Sequence, residues 1–283
     1  MEKLSSKISK VSSVLMIVAM MIFGVNGYAK SKKEVTIQHI RNATLKIDYA
    51  GKSILLDPML GKKHSFMSFV EQNKNLNPTV DLPFSVDKVT KGTDLILLTH
   101  THLDHFDQKA KDFLDKNIPI YIQPFDKDLV EKSKFKNIHV LNSSTKVGNM
   151  EIIRTTGVHG PESINEMLGK VSGFVLKAKN YPTIYIVGDC LLDDVIRHNI
   201  ETYKPDVVVT NSGGAVFMNE TILMGAQETV DVAKMAPEAT VVATHMESLD
   251  HCKVTRKQIR QLAKKEHVSN ILTPKNGETL KLR

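Results

Sequence analysis

Leu97-Leu98-Thr99-His100-Thr101-His102-Leu103-Asp104-His105-Phe106-Asp107 sets four potential metal ligands, His100, His102, Asp104 and His105, within six residues. The run Asp94-Leu95-Ile96-Leu97-Leu98-Thr99 leads straight into them and has the length and apolar character of a buried strand. In extended backbone alternate side chains share a face, so His100 and His102 point the same way. A turn at Leu103 then swings Asp104 and His105 to a second position close by. One histidine in such a stretch is commonly structural, but packing gives no reason to gather three with a carboxylate. Imidazoles plus a carboxylate are the donor set of zinc and similar divalent ions.

Outward from that stretch, strands and helices alternate without repeats or long linkers. Val35, Ile37 and His39, then Leu45, Ile47 and Tyr49, alternate with polar neighbours as half-buried strands do. Ser53-Ile54-Leu55-Leu56-Asp57 is a short apolar strand stopped by Pro58, and residues 59–90, rich in Pro and Asn, read as a long loop at the mouth of a site. Further strands are expected at 120–122, 150–155, 173–177, 183–187, 207–209 and 240–243. Helices are expected at 108–115, at 126–135 with Asp126 as N-cap, after 190, at 227–235 and at 255–267. This order implies α/β architecture, sheets covered by helices, in one continuous domain over residues 30–283.

The first thirty residues have a different character. Lys3, Lys7 and Lys10 precede the apolar run 14–25, and Gly27-Tyr28-Ala29 ends it with small residues at the spacing of a cleavage site. Residues 1–29 are therefore expected to be a signal peptide. The mature chain would be extracytoplasmic, periplasmic or secreted, with no stable membrane span. The apolar run is shorter than the roughly 20 residues of a bilayer span; an uncleaved membrane anchor is the alternative. The whole chain carries 38 Lys+Arg against 31 Asp+Glu. Part of that excess lies in this segment and the rest is scattered, which argues against a nucleic-acid partner. Two Cys cannot supply a disulfide framework or a thiolate zinc cluster.

His100 to His105 matches the HxHxDH signature of the metallo-β-lactamase superfamily, and the chain resembles that family in order along nearly all of residues 34–283. Gly157-Val158-His159-Gly160 supplies the later lone histidine. Ile184-Tyr185-Ile186-Val187-Gly188-Asp189 supplies a strand ending in Gly-Asp, and Val241-Val242-Ala243-Thr244-His245 a histidine after a late strand. The resemblance implies a four-layer αββα sandwich. It implies one metal held by His100, His102 and His159, a second by Asp104, His105 and His245, and Asp189 between them. The implied cofactors are two divalent ions, Zn²⁺ first, with Mn²⁺ or Fe as options. The implied reaction is hydrolysis of an ester, lactone or phosphodiester by a metal-bridging hydroxide, with Asp104 and Asp189 essential to it. The opening Ile47…Leu55-Leu56-Asp57-Pro58 is similar to the subgroup of ascorbate-phosphate lactonase-like and phospholipase D-like hydrolases. With the basic surface, it points to a small anionic substrate. Two other readings use the same ligands: an iron-dependent redox enzyme, and a non-catalytic metal-binding module of the envelope.

Asp57 is either a carboxylate that orients a ligand imidazole or a strand-end turn residue. His251 is expected on the substrate side, with His245 preferred over it as ligand. Cys190 and Cys252 are read as buried thiols, a disulfide being the alternative. Ser212-Gly213-Gly214 offers amides for an anion. Glu247 receives no role.

Overall fold

The alternation beginning at Val35 is an antiparallel meander, β1 (Val35–Arg41), β2 (Thr44–Tyr49) and β3 (Lys52–Leu56). The computed structural model describes residues 32–70 and 74–283. Three parallel neighbours extend the meander: β4 (Leu95–Leu97), β5 (Ile120–Ile122) and β6 (Ile138–Val140). A second sheet follows, made first of the antiparallel strands β7 (Ser144–Val147), β8 (Met150–Gly157), β9 (Val171–Ala178) and β10 (Ile184–Ile186). β11 (Val207–Asn211) continues it in parallel, and a small ribbon, β12 (Val216–Phe217) with β13 (Glu220–Thr221), stands apart. β14 (Thr240–Thr244) and β15 (Ile271–Leu272) complete the second sheet, and β16 (Thr279–Leu282) returns to pair with β1.

The inner faces of the two sheets meet in one core. Ile37, Leu45, Ile54 and Leu97 from the first pack with Ile152, Phe174, Ile186 and Val209 from the second. Each such fully buried aliphatic side chain contributes about 1.5–3 kcal/mol. The outer face of the first sheet packs on α1 (Val86–Thr90), α2 (Gln108–Phe113) and α3 (Lys127–Lys132) through Val89, Ala110 and Val130. α4 (Glu162–Leu168) lies between β8 and β9 in sequence. The outer face of the second sheet packs on α5 (Asp194–Tyr203) and α6 (Ala226–Met235) through Ile196, Val232 and Ala233, and α7 (Arg256–Lys265) packs Ile259 against Ala243. Helices, sheet, sheet, helices is the four-layer αββα order expected.

The short strands β6, β7, β15 and β16 and the helix α4 were not expected. Asp126 stands at the N-cap position of α3, as expected, but without a capping hydrogen bond. A single 3₁₀ turn, Pro124–Asp126, precedes α3, and the Asp126 side chain caps nothing. It accepts from Thr101 Oγ1 (2.8 Å) and Gln123 Nε2 (2.9 Å), because burial beside the histidine loop offers it better donors than the helix amides. The 59–90 stretch ends in α1 and is pinned earlier by Arg41, a fully buried guanidinium that donates to the carbonyls of Met59, Gly61 and Val80. Among the described residues no helix is long and apolar enough to cross a membrane. The signal peptide expected at residues 1–29 lies outside the described residues.

Candidate metal centre

Six strands from both sheets deliver their C-terminal ends to one place, the edge where open α/β sheets bind ligands. Asp57 follows β3, Thr99 and His100 follow β4, His159 follows β8, Asp189 follows β10, Asn211 ends β11 and His245 follows β14. His100, His102 and His159 form one group of donor atoms within 4.8 Å of one another. Asp104, His105, Asp189 and His245 form a second. Asp189 Oδ2 lies 3.2 Å from His105 Nε2 and 3.4 Å from His245 Nε2, and 3.8 Å from His159 Nε2 of the other group, so it stands between the two. Asp104 Oδ2 is 3.2 Å from His245 Nε2. The structure thus brings together all seven residues expected as ligands. All are buried except His102, which is half-buried.

The donor set fits divalent cations because each ring is oriented from behind. His102 Nε2–H donates to Leu168 O (2.8 Å), His159 Nδ1–H to Ile222 O (3.0 Å) and His105 Nδ1–H to Asp57 Oδ2 (2.8 Å). A carbonyl or carboxylate only accepts, so these protons sit on the outer nitrogens and the inner ones offer lone pairs. His100 Nδ1 meets Thr99 Oγ1 at 3.1 Å, and His245 Nδ1 meets Cys252 Sγ at 3.5 Å. Inward lone pairs then face each other, His100 Nε2 to His102 Nδ1 at 3.0 Å and His105 Nε2 to His245 Nε2 at 3.2 Å. That convergence is what a cation relieves.

Without a cation the second group holds protons in its stead. Burial opposes a charge on His105, but Asp189, Asp104 and Asp57 outweigh it and push its pKa up to about 10. Against the same burial, Asp189 above all raises the pKa of His245 well above its ordinary value. Burial would raise Asp104 and Asp189, yet His105 and His245 hold both carboxyls well below the usual range. His100 and His159 go the other way: burial, with neighbouring imidazoles, pushes them down, so these two rings are uncharged.

The second side of the site is built with backbone conformations that side-chain-bearing residues seldom adopt. Asp57 has φ 43° and His245 φ 64°, both left-handed. Asn42, at φ 56° in the β1–β2 turn, donates from Nδ2 to Asp104 O (3.0 Å) and accepts His245 N on its own carbonyl (3.0 Å). Asn211 Nδ2 donates to Asp189 Oδ1 (2.6 Å), and Asn211 Oδ1 accepts from Thr244 Oγ1 (2.9 Å). Asp57 also accepts Thr99 N (2.8 Å) and Thr99 Oγ1 (2.7 Å), so of its two readings the ligand-orienting one matches the geometry. The anion cradle expected at 212–214 is corrected: Ser212 N donates to Thr244 O and Gly214 N to Met224 O, so those amides serve the sheet and its loops. Cys190 and Cys252 are free thiols. Glu247 pairs with Arg256 and accepts its amide at the start of α7.

Asn42, Thr99 and Asn211 went unread from sequence, and Cys252 was read only as a thiol, with no contact to His245. Asn211 had a signal, since it ends an apolar strand at the same edge as Asp189. Asn42 had none, because a polar turn residue looks alike whether it faces water or a buried carbonyl.

Above the ligands lies a cavity of about 270 Å³. His102, His159, Asp104 and Asp189 form its floor, and Phe69, Leu168, Phe217, Ile222 and His251 stand around it. Among the described residues no Lys or Arg lines it. Burial lowers the pKa of His251 to about 4, so its imidazole is neutral.

An αββα sandwich with paired imidazole and carboxylate groups at its strand ends defines a metallohydrolase of the metallo-β-lactamase fold. Residues 52–246 match the family described as "Beta-lactamase superfamily domain". The UPF0173 protein YddR of Bacillus subtilis is 37% identical over 251 residues, 87% of this chain and 99% of that protein. Other UPF0173 relatives are named metal-dependent hydrolases. Among solved structures, an isothiocyanate hydrolase from Delia radicum gut bacteria is 36% identical with a TM-score of 0.83, covering 87% of this chain and 98% of that one. A possible metal-dependent hydrolase from Veillonella parvula is 29% identical with a TM-score of 0.84 over the same shares. The chain belongs to the β-lactamase superfamily and, within it, is a metal-dependent hydrolase of the UPF0173 family.

Proposed function

We propose that this hydrolase acts on a small, uncharged, largely apolar electrophile, with an isothiocyanate as the first candidate and a neutral ester or lactone as the second. The observation that carries this reading is the cavity wall. Phe69, Leu168, Phe217 and Ile222 give an alkyl or aryl group a dry surface, and no Lys or Arg is there among the described residues to meet a phosphate or carboxylate. The anionic substrate expected from the surface charge, and a phosphodiester in particular, would find no Lys or Arg on the wall among the described residues to add to the cations below. The isothiocyanate hydrolase among the structural neighbours supports the same direction.

Two divalent ions, zinc first, are the proposed cofactors, held by His100, His102 and His159 and by Asp104, His105 and His245, with Asp189 shared. Such ions supply Lewis acidity and bring the pKa of bound water toward neutrality. The chain contributes the rest. Asp104 and Asp189 offset the cationic charge, Asp57, Thr99, Leu168 O and Ile222 O hold the rings in the ligating tautomer, and the apolar wall excludes bulk water from the substrate's tail. For an isothiocyanate the overall reaction is addition of one water to the central carbon and release of a primary amine and carbonyl sulfide.

The test is metal analysis paired with turnover of benzyl isothiocyanate, phenyl acetate and bis(p-nitrophenyl) phosphate. The expected result is two ions per chain and turnover of a neutral substrate, abolished by chelation and restored by zinc. Preference for the phosphodiester would refute the reading. We also propose that residues 1–29 direct export; N-terminal sequencing of the mature protein checks this, with Lys30 as the expected first residue.

A further inference from the structure

Asp250 and His251 lie on the loop after β14 and have no part in holding metal. The Asp250 carboxylate accepts from Phe69 N (3.1 Å), Val70 N (3.2 Å), Asn77 Nδ2 (2.7 Å) and Ser68 Oγ. Its own amide donates back to Asn77 Oδ1 (3.0 Å). A single carboxylate therefore ties the strap 68–70 onto the loop that carries His245. Phe69 meets His251 edge-on, ring centroids 4.8 Å apart, and both side chains line the cavity.

His251 is 5% exposed, and its Nδ1 is buried without a hydrogen-bond partner. The nearest carboxylate oxygen, Asp250 Oδ1, is 3.9 Å away, beyond hydrogen-bond reach. Neither ring nitrogen has a hydrogen bond among the described residues. Buried polar groups are nearly always paired; with Nδ1 sealed off, Nε2 is the nitrogen this ring, on the wall of a cavity lined by metal-binding side chains, has left for a ligand.

We propose that His251 is the substrate's hydrogen-bond partner, donating its one N–H to the heteroatom of a neutral electrophile whose apolar body rests on Phe69, Leu168 and Phe217. Asp250 is the positioning residue that holds Phe69 and His251 as one wall. This rests on the neutral-substrate reading above, and the experiment separates the two.

Zinc-loaded wild type, His251→Phe, His251→Gln, Asp250→Ala and Asp250→Asn are compared, each with its metal content measured. One readout is the Kd for acetophenone, a neutral aromatic acceptor, by ligand-observed NMR. The other is kcat and KM for benzyl isothiocyanate. A lost neutral hydrogen bond is worth about tenfold, so His251→Phe should weaken acetophenone binding and lower kcat/KM by about that factor. His251→Gln, which keeps an N–H donor, should recover most of both. Asp250→Ala should raise KM several-fold with kcat little changed, and Asp250→Asn should be milder because it keeps one acceptor oxygen. If His251→Phe does not load its metal, His251→Leu is the second non-donor variant. Wild-type behaviour in the non-donor variant, or His251→Gln as impaired as His251→Phe with metal intact, overturns the assignment. A wild type inert toward benzyl isothiocyanate, but with acetophenone binding sensitive to His251, overturns the substrate and leaves His251 standing. No acetophenone binding by wild type overturns both.

Discussion

Replacing Asp57 by Asn changes one atom, and the surroundings fix what that atom does. The side chain is 1% exposed, sits at φ 43°, and accepts three hydrogen bonds. Asn tolerates left-handed backbone, so the turn itself is spared. The amide has two orientations. With Nδ2 toward His105 Nδ1 and Thr99 Oγ1, the hydroxyl can rotate to accept, but two N–H donors collide at His105 unless the imidazole moves its proton to Nε2. That nitrogen, 3.2 Å from Asp189 Oδ2, is the one that must offer a lone pair to the cation. With the amide flipped, Nδ2 opposes the Thr99 backbone N–H and leaves a buried donor unpaired, at about 1–3 kcal/mol. Either route weakens the second cation by about 10–100-fold, at about 1.4 kcal/mol per factor of ten. The His100, His102 and His159 group keeps its own partners and its affinity. Zinc titration into the metal-free protein against a competing chelator should resolve two binding events; in Asp57→Asn only the one at the Asp104, His105, Asp189 and His245 group should shift. Two equivalents bound as in wild type would refute the reasoning and return Asp57 to the role of a turn residue.

Gly213→Ala tests the close approach beneath His245: an added Cβ would collide with the His245 carbonyl oxygen and come within 2.8 Å of Cys252 Sγ. A loss of about 1–3 kcal/mol in stability, with loss of the second metal, is expected by thermal melting and metal analysis. Asn211→Ala removes the 2.6 Å bond to Asp189 Oδ1 and should lower metal affinity by about tenfold, read by the same chelator competition. His39, beneath the Asn42 turn, gives a pH signature: burial, with help from Arg256, lowers its pKa from 6.5 to about 4 despite two facing carbonyls. Its stabilising contribution is then present above pH 6.5 and is lost as pH falls from 6.5 to 4, by about 3 kcal/mol. Denaturant unfolding of the metal-free protein across that range should show the loss, and His39→Gln should remove that share of it.

What could be read from sequence divides along the reach of the interactions. The His100–His105 run was legible because its ligands are neighbours in the chain and no packing role gathers them. His159, Asp189 and His245 were legible in order, since each follows a strand and the strands end at one edge. Asp57 was half legible: the strand stop before Pro58 marks a turn whether or not an imidazole waits across it. The cavity wall was not legible at all. Phe69 sits in a Pro- and Asn-rich loop and becomes a wall only because Asp250, 181 residues away, collects its amide, and nothing local to either residue records that pairing. The same distance separates the surface charge from the cavity wall. Lysines are counted along the whole chain, but the substrate meets only the few side chains that tertiary contacts bring over the ligands, and those are aromatic, aliphatic and one unpartnered imidazole. Ligand identity is written in short motifs, whereas specificity is written in contacts between distant loops, so two chains sharing every metal ligand can differ in substrate by changing a strap such as 68–70.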